Sequence, residues 1–195
     1  MIRILLATRN AHKTLEFSQI LGPNFVVRDL SGESAVPVVE ETGSMFVENA
    51  ILKAVTISKG FPGLVVADDS GLEVDLLGGA PGVYSARYAG AGATDDENIA
   101  RLLAELRRFP HDAAPVARFR CTLALAREGG LLHTFEGAIE GFIVDTPRGE
   151  SGFGYDPIFQ PTGSSQTFAE LSSAEKNRIS HRARAIRLLQ RALLS

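Results

Sequence analysis

Tryptophan is absent, cysteine occurs once, and neither sign of charge dominates: 20 Lys and Arg stand against 23 Asp and Glu in 195 residues. Each shortage removes a class of protein. The lone Cys121 cannot close an internal disulfide, and beside four scattered His it builds no Cys/His zinc cluster, so a reducing, cytoplasmic setting is expected. A net charge of −3 speaks against nucleic acid held on a broad cationic surface. No run of about 18 apolar residues occurs, so no membrane partnership through a spanning helix is expected. The opening MIRILLATRN also lacks the apolar core and cleavage site of a secretory signal. Tandem repeats, low-complexity tracts and Pro/Ser-rich linkers are missing too. The 45% hydrophobic and 22% charged content is the balance of a folded globular chain.

Against that background one stretch stands out, LVVADDSGLE at residues 64–73. Four β-favouring residues read as a strand buried on both faces, and Asp68 and Asp69 are expected to leave it at the sheet edge, where open α/β sheets bind ligands. A metal site is the working expectation there. Upstream, an apolar run at 2–7 ends at Thr8, and Asn10 can cap a helix to about Leu21, stopped by Gly22 and Pro23. In that turn the Thr8 hydroxyl, the amides of a helix start and the Lys13 ammonium could converge on an anion. The glycines of a Walker A loop are absent, and a capped helix with an exposed Lys explains the same residues.

A strand is expected at 25–28, then two acids, Glu40 and Glu41, ahead of a helix at about 45–59 with Ser44 as its cap. These acids either favour the helix N-terminus or join the acids after residue 67 as hard oxygen ligands for Mg²⁺. The Gly-rich loop at 76–92 places Tyr84, Arg87 and Tyr88 where a substrate could meet them, or is a plain surface turn. Thr94 and Glu97 form a capping box, which makes Asp95, Asp96 and Glu97 structural acids, and Pro110 closes the segment.

The alternation at 116–126 predicts a long strand, with Cys121 in the core rather than acting as a nucleophile. Two more strands, 131–136 and 138–144, are expected on either side of Gly137 in an antiparallel meander. The stretch SGFGYDPIF frames Phe153 and Tyr155 with glycines, suited either to a planar base or to a core plug, with Asp156 held extended before Pro157. Ser172 and Glu175 cap a cationic C-terminal helix, most of whose charges should be solvated. Lys176 and His181 lie five apart, about 140° around one helix, so a break at 177–180 is expected, with Ser180 as a new cap.

Taken together, LLATRNAHK, EETGSMFVENAILKA, ADDSGLEVDLLGGAPGVYSARYAG, GFGYDPIF and AEKNRISHRARAI resemble the inosine triphosphate pyrophosphatase family, the dITP/XTP pyrophosphatases. The resemblance spans nearly the whole chain. It implies an α/β fold, an elongated mixed sheet flanked by helices in two lobes with a central nucleotide-binding cleft, and a homodimer. It implies Mg²⁺-dependent hydrolysis of non-standard purine nucleoside triphosphates (ITP, dITP, XTP) to monophosphate and pyrophosphate. Carried over by position, Thr8, Arg9, Asn10 and Lys13 match the triphosphate-binding segment, and Asp69 matches the proton acceptor and metal ligand. Ser70, Phe153, Gly154, Tyr155, Asp156, Lys176, His181 and Arg182 match substrate-binding positions, the later ones mainly around the base. Glu41 is chosen as the second metal ligand. Arg9 departs from the Gly often found after the first Thr, and a Gly-only backbone angle there would be strained. A Mg²⁺-dependent phosphomonoesterase with an Asp nucleophile and a nucleotide-binding regulator without turnover remain the alternatives.

Overall fold

The computed structural model describes residues 1–33, 36, 38–110 and 113–195. Six strands form one mixed sheet in the order β2-β1-β3-β4-β5-β6. They are β1 at Ile2–Leu6, β2 at Phe25–Arg28, β3 at Leu64–Val74, β4 at Val116–Arg127, β5 at Gly130–Ile143 and β6 at Phe159–Pro161. The α-helices are α1 at Ala11–Leu21, α2 at Phe46–Ser58, α3 at Asp95–Leu106, α4 at Ser173–Ile179 and α5 at His181–Leu194. The expected α/β class with a mixed sheet is the one observed. β1 runs parallel to β2 and β3, because α1 and α2 carry the chain back between them. β6 is antiparallel to β5. Glu128 and Gly129, at φ +51 and +80, make the two-residue reversal between β4 and β5, a hand that suits a twisted hairpin.

The chain divides into two compact units. The first comprises Met1–Asp69, Cys121–Gly137 and His181–Ser195. Within it, Leu6, Phe17, Val66, Leu123 and Ile186 belong to one buried apolar cluster. Ala50, Ala54, Val65, Ala67 and Ala124 belong to another. Successive residues of β3 therefore feed different clusters, as a strand buried on both faces must. The second unit comprises Ser70–Arg120 and Ala138–Ser180. Leu72, Leu102, Phe119, Ile158, Phe159 and Phe168 anchor its core, with the Phe119 and Phe159 rings edge to face at 4.7 Å.

Several local expectations are corrected. β3 does not end at the two acids but continues through Ser70 and Gly71 to Val74, because Leu72 and Val74 have core to enter. Asp68 and Asp69 are thus mid-strand residues, not edge residues. β5 is likewise one strand rather than two, and Gly137 is a site of close approach, not a break. A Cβ added there would lie 2.7 Å from the Ala185 amide nitrogen and 3.0 Å from Arg184 Cβ of α5. Gly137→Ala is accordingly expected to cost roughly 1–3 kcal/mol through overpacking, since the obstructing atoms include backbone. A urea midpoint equal to wild type would contradict this.

The cap of α2 is not the Ser44 hydroxyl: Glu48 reaches back to accept from the Ser44 and Met45 amides at 2.8 and 3.1 Å. Residues 76–92 are more ordered than a plain loop, with 3₁₀ turns at Asp75–Leu77 and Gly82–Arg87. Tyr88 is bound to α3, its hydroxyl on Glu105 and its ring under Arg101. Asp156 is not extended but opens a 3₁₀ turn at Asp156–Ile158. Its carboxylate folds back onto the Phe153 amide at 2.9 Å, and that bond together with Lys176 overrides the pre-proline preference. The C-terminal break occurs as expected, with Ser180 at φ −62, ψ 158 between α4 and α5.

Candidate active site

Because β3 stays a strand through both acids, consecutive carboxylates point to opposite faces and enter separate environments, both in the first unit. Asp68 is fully enclosed. It accepts from Arg182 Nε at 2.9 Å, pairs with the Lys13 ammonium, and takes the Cys121 thiol at 3.1 Å. Burial alone would push its pKa up, but Arg182 and Lys13 outweigh burial and hold it well below the usual carboxylate range. The buried thiol is pushed the other way, by burial and by Asp68, which makes Cys121 a neutral donor and no nucleophile.

Asp69 faces a different set. Its Oδ1 lies 3.0 Å from Lys53 Nζ, and Glu41 Oε1 lies 2.6 Å from the same nitrogen. Lys53 also donates to the Asp68 carbonyl at 2.8 Å, which fixes its head group against the strand. Asn49 donates to Asp69 Oδ2 at 3.3 Å and accepts from the Gly43 amide at 2.7 Å, so one buried amide joins Asp69 to the segment carrying Glu41. Two carboxylates sharing one ammonium leave an acidic excess. Burial and Glu41 raise the Asp69 pKa against the pull of Lys53. A partly desolvated acid raised in this way is suited to accept a proton from water.

Asp69 and Glu41 bring the hard oxygen donors a divalent cation takes. Asp69 and Glu41 already direct an oxygen each at one cationic point, the Lys53 ammonium. Among the described residues no group of three or more His, Cys, Asp or Glu gathers as a metal cage. An ion held here would complete its shell with water and substrate oxygens, which is how Mg²⁺ is usually bound.

The Thr8–Lys13 turn is placed in the same unit. Asn10 Oδ1 accepts from the His12 and Lys13 amides at 2.9 and 3.3 Å, and Thr8 Oγ1 accepts from the Asn10 amide at 3.1 Å. The helix start is therefore self-capped, as the simpler reading had it, but Lys13 is a half-buried partner of Asp68 rather than an exposed lysine. Arg9 has no left-handed backbone, so the strain expected of it is absent. Its guanidinium spans to the Val36 carbonyl at 2.6 Å. Thr8, Arg9, Val39, Glu41 and Lys53 line a hollow of about 290 Å³. His181 and Arg182 open α5, both buried. Arg182 is engaged by Asp68 and, through Nη1, by Glu16 at 2.6 Å.

The remaining candidates lie in the second unit. Ser70 is half-buried in β3. Asp156 Oδ2 takes both the Phe153 amide at 2.9 Å and Lys176 Nζ at 2.5 Å, and that ammonium lies 4.9 Å from the centre of the half-buried Phe153 ring. The core-plug reading holds for Tyr155, which is buried with its hydroxyl donating to the Ser85 carbonyl at 2.9 Å, while Phe153 stays half-buried. Gly154, at φ +61, donates to Asp95 Oδ2 at 2.6 Å.

Sequence reasoning did not single out Lys53, Asn49, Glu16 or Asp95 for the site. A signal did exist for two of them. Asn49 and Lys53 fall four apart within the stripe of Phe46, Ala50, Ala54 and Ile57, and polar side chains on a buried helix face need partners. Glu16 and Asp95 carried no such mark, because each looks like an ordinary charge on an exposed helix surface.

The profile of the Ham1 family matches residues 4–192. A Bacillus licheniformis protein named dITP/XTP pyrophosphatase is 50% identical over 194 residues, 99% of this chain and 98% of its own length. A Bacillus subtilis protein of the same name is 48% identical over the same shares. The solved structure of a HAM1 protein from Coxiella burnetii superposes with a TM-score of 0.88 at 42% identity, covering 100% of this chain and 99% of that one. With a family match that runs from within β1 through both acids of β3 and past the break at Ser180 into α5, the chain belongs to the Ham1 family.

Proposed function

We propose that this chain hydrolyses the non-standard purine nucleoside triphosphates ITP, dITP and XTP to the nucleoside monophosphate and pyrophosphate, removing them from the nucleotide pool. The observation that carries the reading is the 50% and 48% identity, over nearly the whole chain, to proteins named dITP/XTP pyrophosphatase. The geometry supplies a chemical rationale. A triphosphate brings about four negative charges, and attack at the α-phosphorus needs those charges met and a water oriented. To Lys13, with Thr8, Arg9 and Asn10 around it, we assign the polyphosphate. To Asp69 we assign the proton of the attacking water, with Lys53 and Asn49 holding the carboxylate in place.

Glu41 and Asp69 are the residues that would hold Mg²⁺, which when bound neutralises phosphate oxygens and polarises the phosphorus. To Phe153 and Lys176 we assign the purine. The keto O6 of hypoxanthine and xanthine accepts hydrogen bonds where the amino group of adenine donates, so an ammonium beside an aromatic platform favours the former. We further assign a homodimer, on the resemblance alone, and a cytoplasmic setting, which the single buried thiol supports. No described helix is long and apolar enough to cross a membrane.

The test is an assay of ITP, dITP, XTP, ATP and GTP with Mg²⁺, read by pyrophosphate release. Pyrophosphate from ITP and XTP well above that from ATP is expected. Orthophosphate as the first product would favour a phosphomonoesterase, and no turnover of ITP or XTP would end the proposal.

A further inference from the structure

Residues 151–156 owe their shape to two carboxylates that come from opposite directions in sequence. Asp156 folds back from within the segment and takes the Phe153 amide at 2.9 Å. Asp95, 59 positions earlier, takes the next amide, that of Gly154, at 2.6 Å. Between them the backbone passes through left-handed conformations at Gly152 and Gly154, φ +80 and +61, which glycine adopts without the steric cost other residues bear. Backbone bonds from the Ser151 amide to the Ala169 carbonyl at 3.1 Å and from the Asp156 amide to the Phe153 carbonyl at 3.3 Å also tie the segment, but both lie within it or its own neighbourhood. Asp95 adds the tie at Gly154 that comes from a helix. It is the first residue of α3, just inside a complete capping box of Thr94 and Glu97, and that helix buries Ile99, Leu102, Leu103 and Leu106 in the core of its unit.

Capping and helix-dipole effects account for an acid at this position but not for its bond to a distant loop amide. A carboxylate accepting from a backbone amide is among the stronger hydrogen bonds available to a loop. We infer that Asp95 is a positioning residue for purine recognition: by holding the Gly154 amide it fixes the plane and height of the Phe153 ring under Lys176. Asp95 touches the loop, not the substrate. The inference rests on the assignment of Phe153 to the base, and it adds that α3, rather than the loop itself, sets where that ring stands.

The experiment compares Asp95→Ala, Asp95→Asn and Phe153→Ala, singly and as the Asp95→Ala/Phe153→Ala pair, using ITP turnover and inhibition by the two products separately. Asp95→Ala is expected to raise KM for ITP and the inhibition constant of IMP by roughly five- to tenfold, with kcat and the inhibition constant of pyrophosphate little changed. Asp95→Asn keeps an acceptor oxygen and should recover most of the loss, although it removes the same charge from the start of α3. In the Phe153→Ala background the further change to Asp95→Ala should have almost no effect, because a ring that is absent cannot be misplaced. Additive losses in the pair, equal weakening of IMP and pyrophosphate, or an unchanged KM in Asp95→Ala would each overturn the inference. If the wild-type protein turns over neither ITP nor XTP, it is the proposed function that fails instead.

Discussion

Asp69→Asn is expected to retain a wild-type fold and to lower kcat for ITP by roughly 10²–10⁴-fold, the range by which a positioned general base accelerates a reaction. The substitution preserves volume and one acceptor oxygen, which can still receive the Lys53 ammonium, while the contact with Asn49, itself a donor, is lost. What it removes is the capacity to take a proton, together with one negative charge. Loss of charge also leaves Lys53 with Glu41 as its only carboxylate partner among those described, so weaker support for a divalent ion should accompany the loss of turnover. A titration of Mg²⁺ dependence therefore belongs beside the kcat measurement. Activity within a few-fold of wild type would remove Asp69 from the role of base. Release of orthophosphate from a trapped acyl phosphate on Asp69 would instead make it a nucleophile.

The second large effect concerns Asp68, whose carboxylate lies one residue away yet does opposite work. Arg182→Met is expected to destabilise the protein by roughly 3 kcal/mol, the lower part of the range for breaking a buried pair, because Lys13 still faces the acid. For a chain of this length that corresponds to a fall in Tm of roughly 10 °C. Adding Asp68→Asn to Arg182→Met should recover part of the loss, since Asp68 then carries no buried charge that Lys13 alone must balance, and the introduced side-chain amide is left to meet Lys13 and Cys121; the part not recovered belongs to Glu16, which also loses Arg182. A single variant as stable as wild type would show the pair to be energetically idle. The pH dependence has a definite sign. Burial opposes ionisation of Asp68, but Arg182 and Lys13 depress its pKa in the folded state. Its contribution is therefore present in full above the unfolded value of about 3.9 and fades only as pH falls toward the folded one. Arg182→Met should lose that acid resistance, and its denaturation midpoint should move to higher pH.

The same two acids show where reading the chain was sufficient and where it was not. An apolar run followed by Asp68 and Asp69 marked the central strand from local pattern alone, and period two then required that neighbouring carboxylates diverge. That divergence hinged on whether the strand stopped. Local propensity favours ending it at the acids, since Ser70 and Gly71 are poor strand residues, whereas the burial of Leu72 and Val74 holds the strand together. Gly137 is a parallel case: it read as punctuation between two strands, and its reason is the backbone of α5 lying against it. In both places a long-range contact outweighed a short-range preference.

Sequence by itself determined the class of fold, the helix starts at Asn10, Thr94 and Ser172, the break at Ser180, and the membership suggested by five motifs in order. These depend on periodicity, on side chains that bond to their own backbone two or three residues on, and on spacing, all of which are local. Tertiary structure alone decided which charges meet. Lys53 takes Asp69 and Glu41, Arg182 takes Asp68 and Glu16, and Asp95 takes the Gly154 amide, across separations of 12 to 166 residues. A charge on a helix looks alike in sequence whether water or a buried carboxylate receives it. The difference is made by desolvation, which acts only once the chain has closed around the pair.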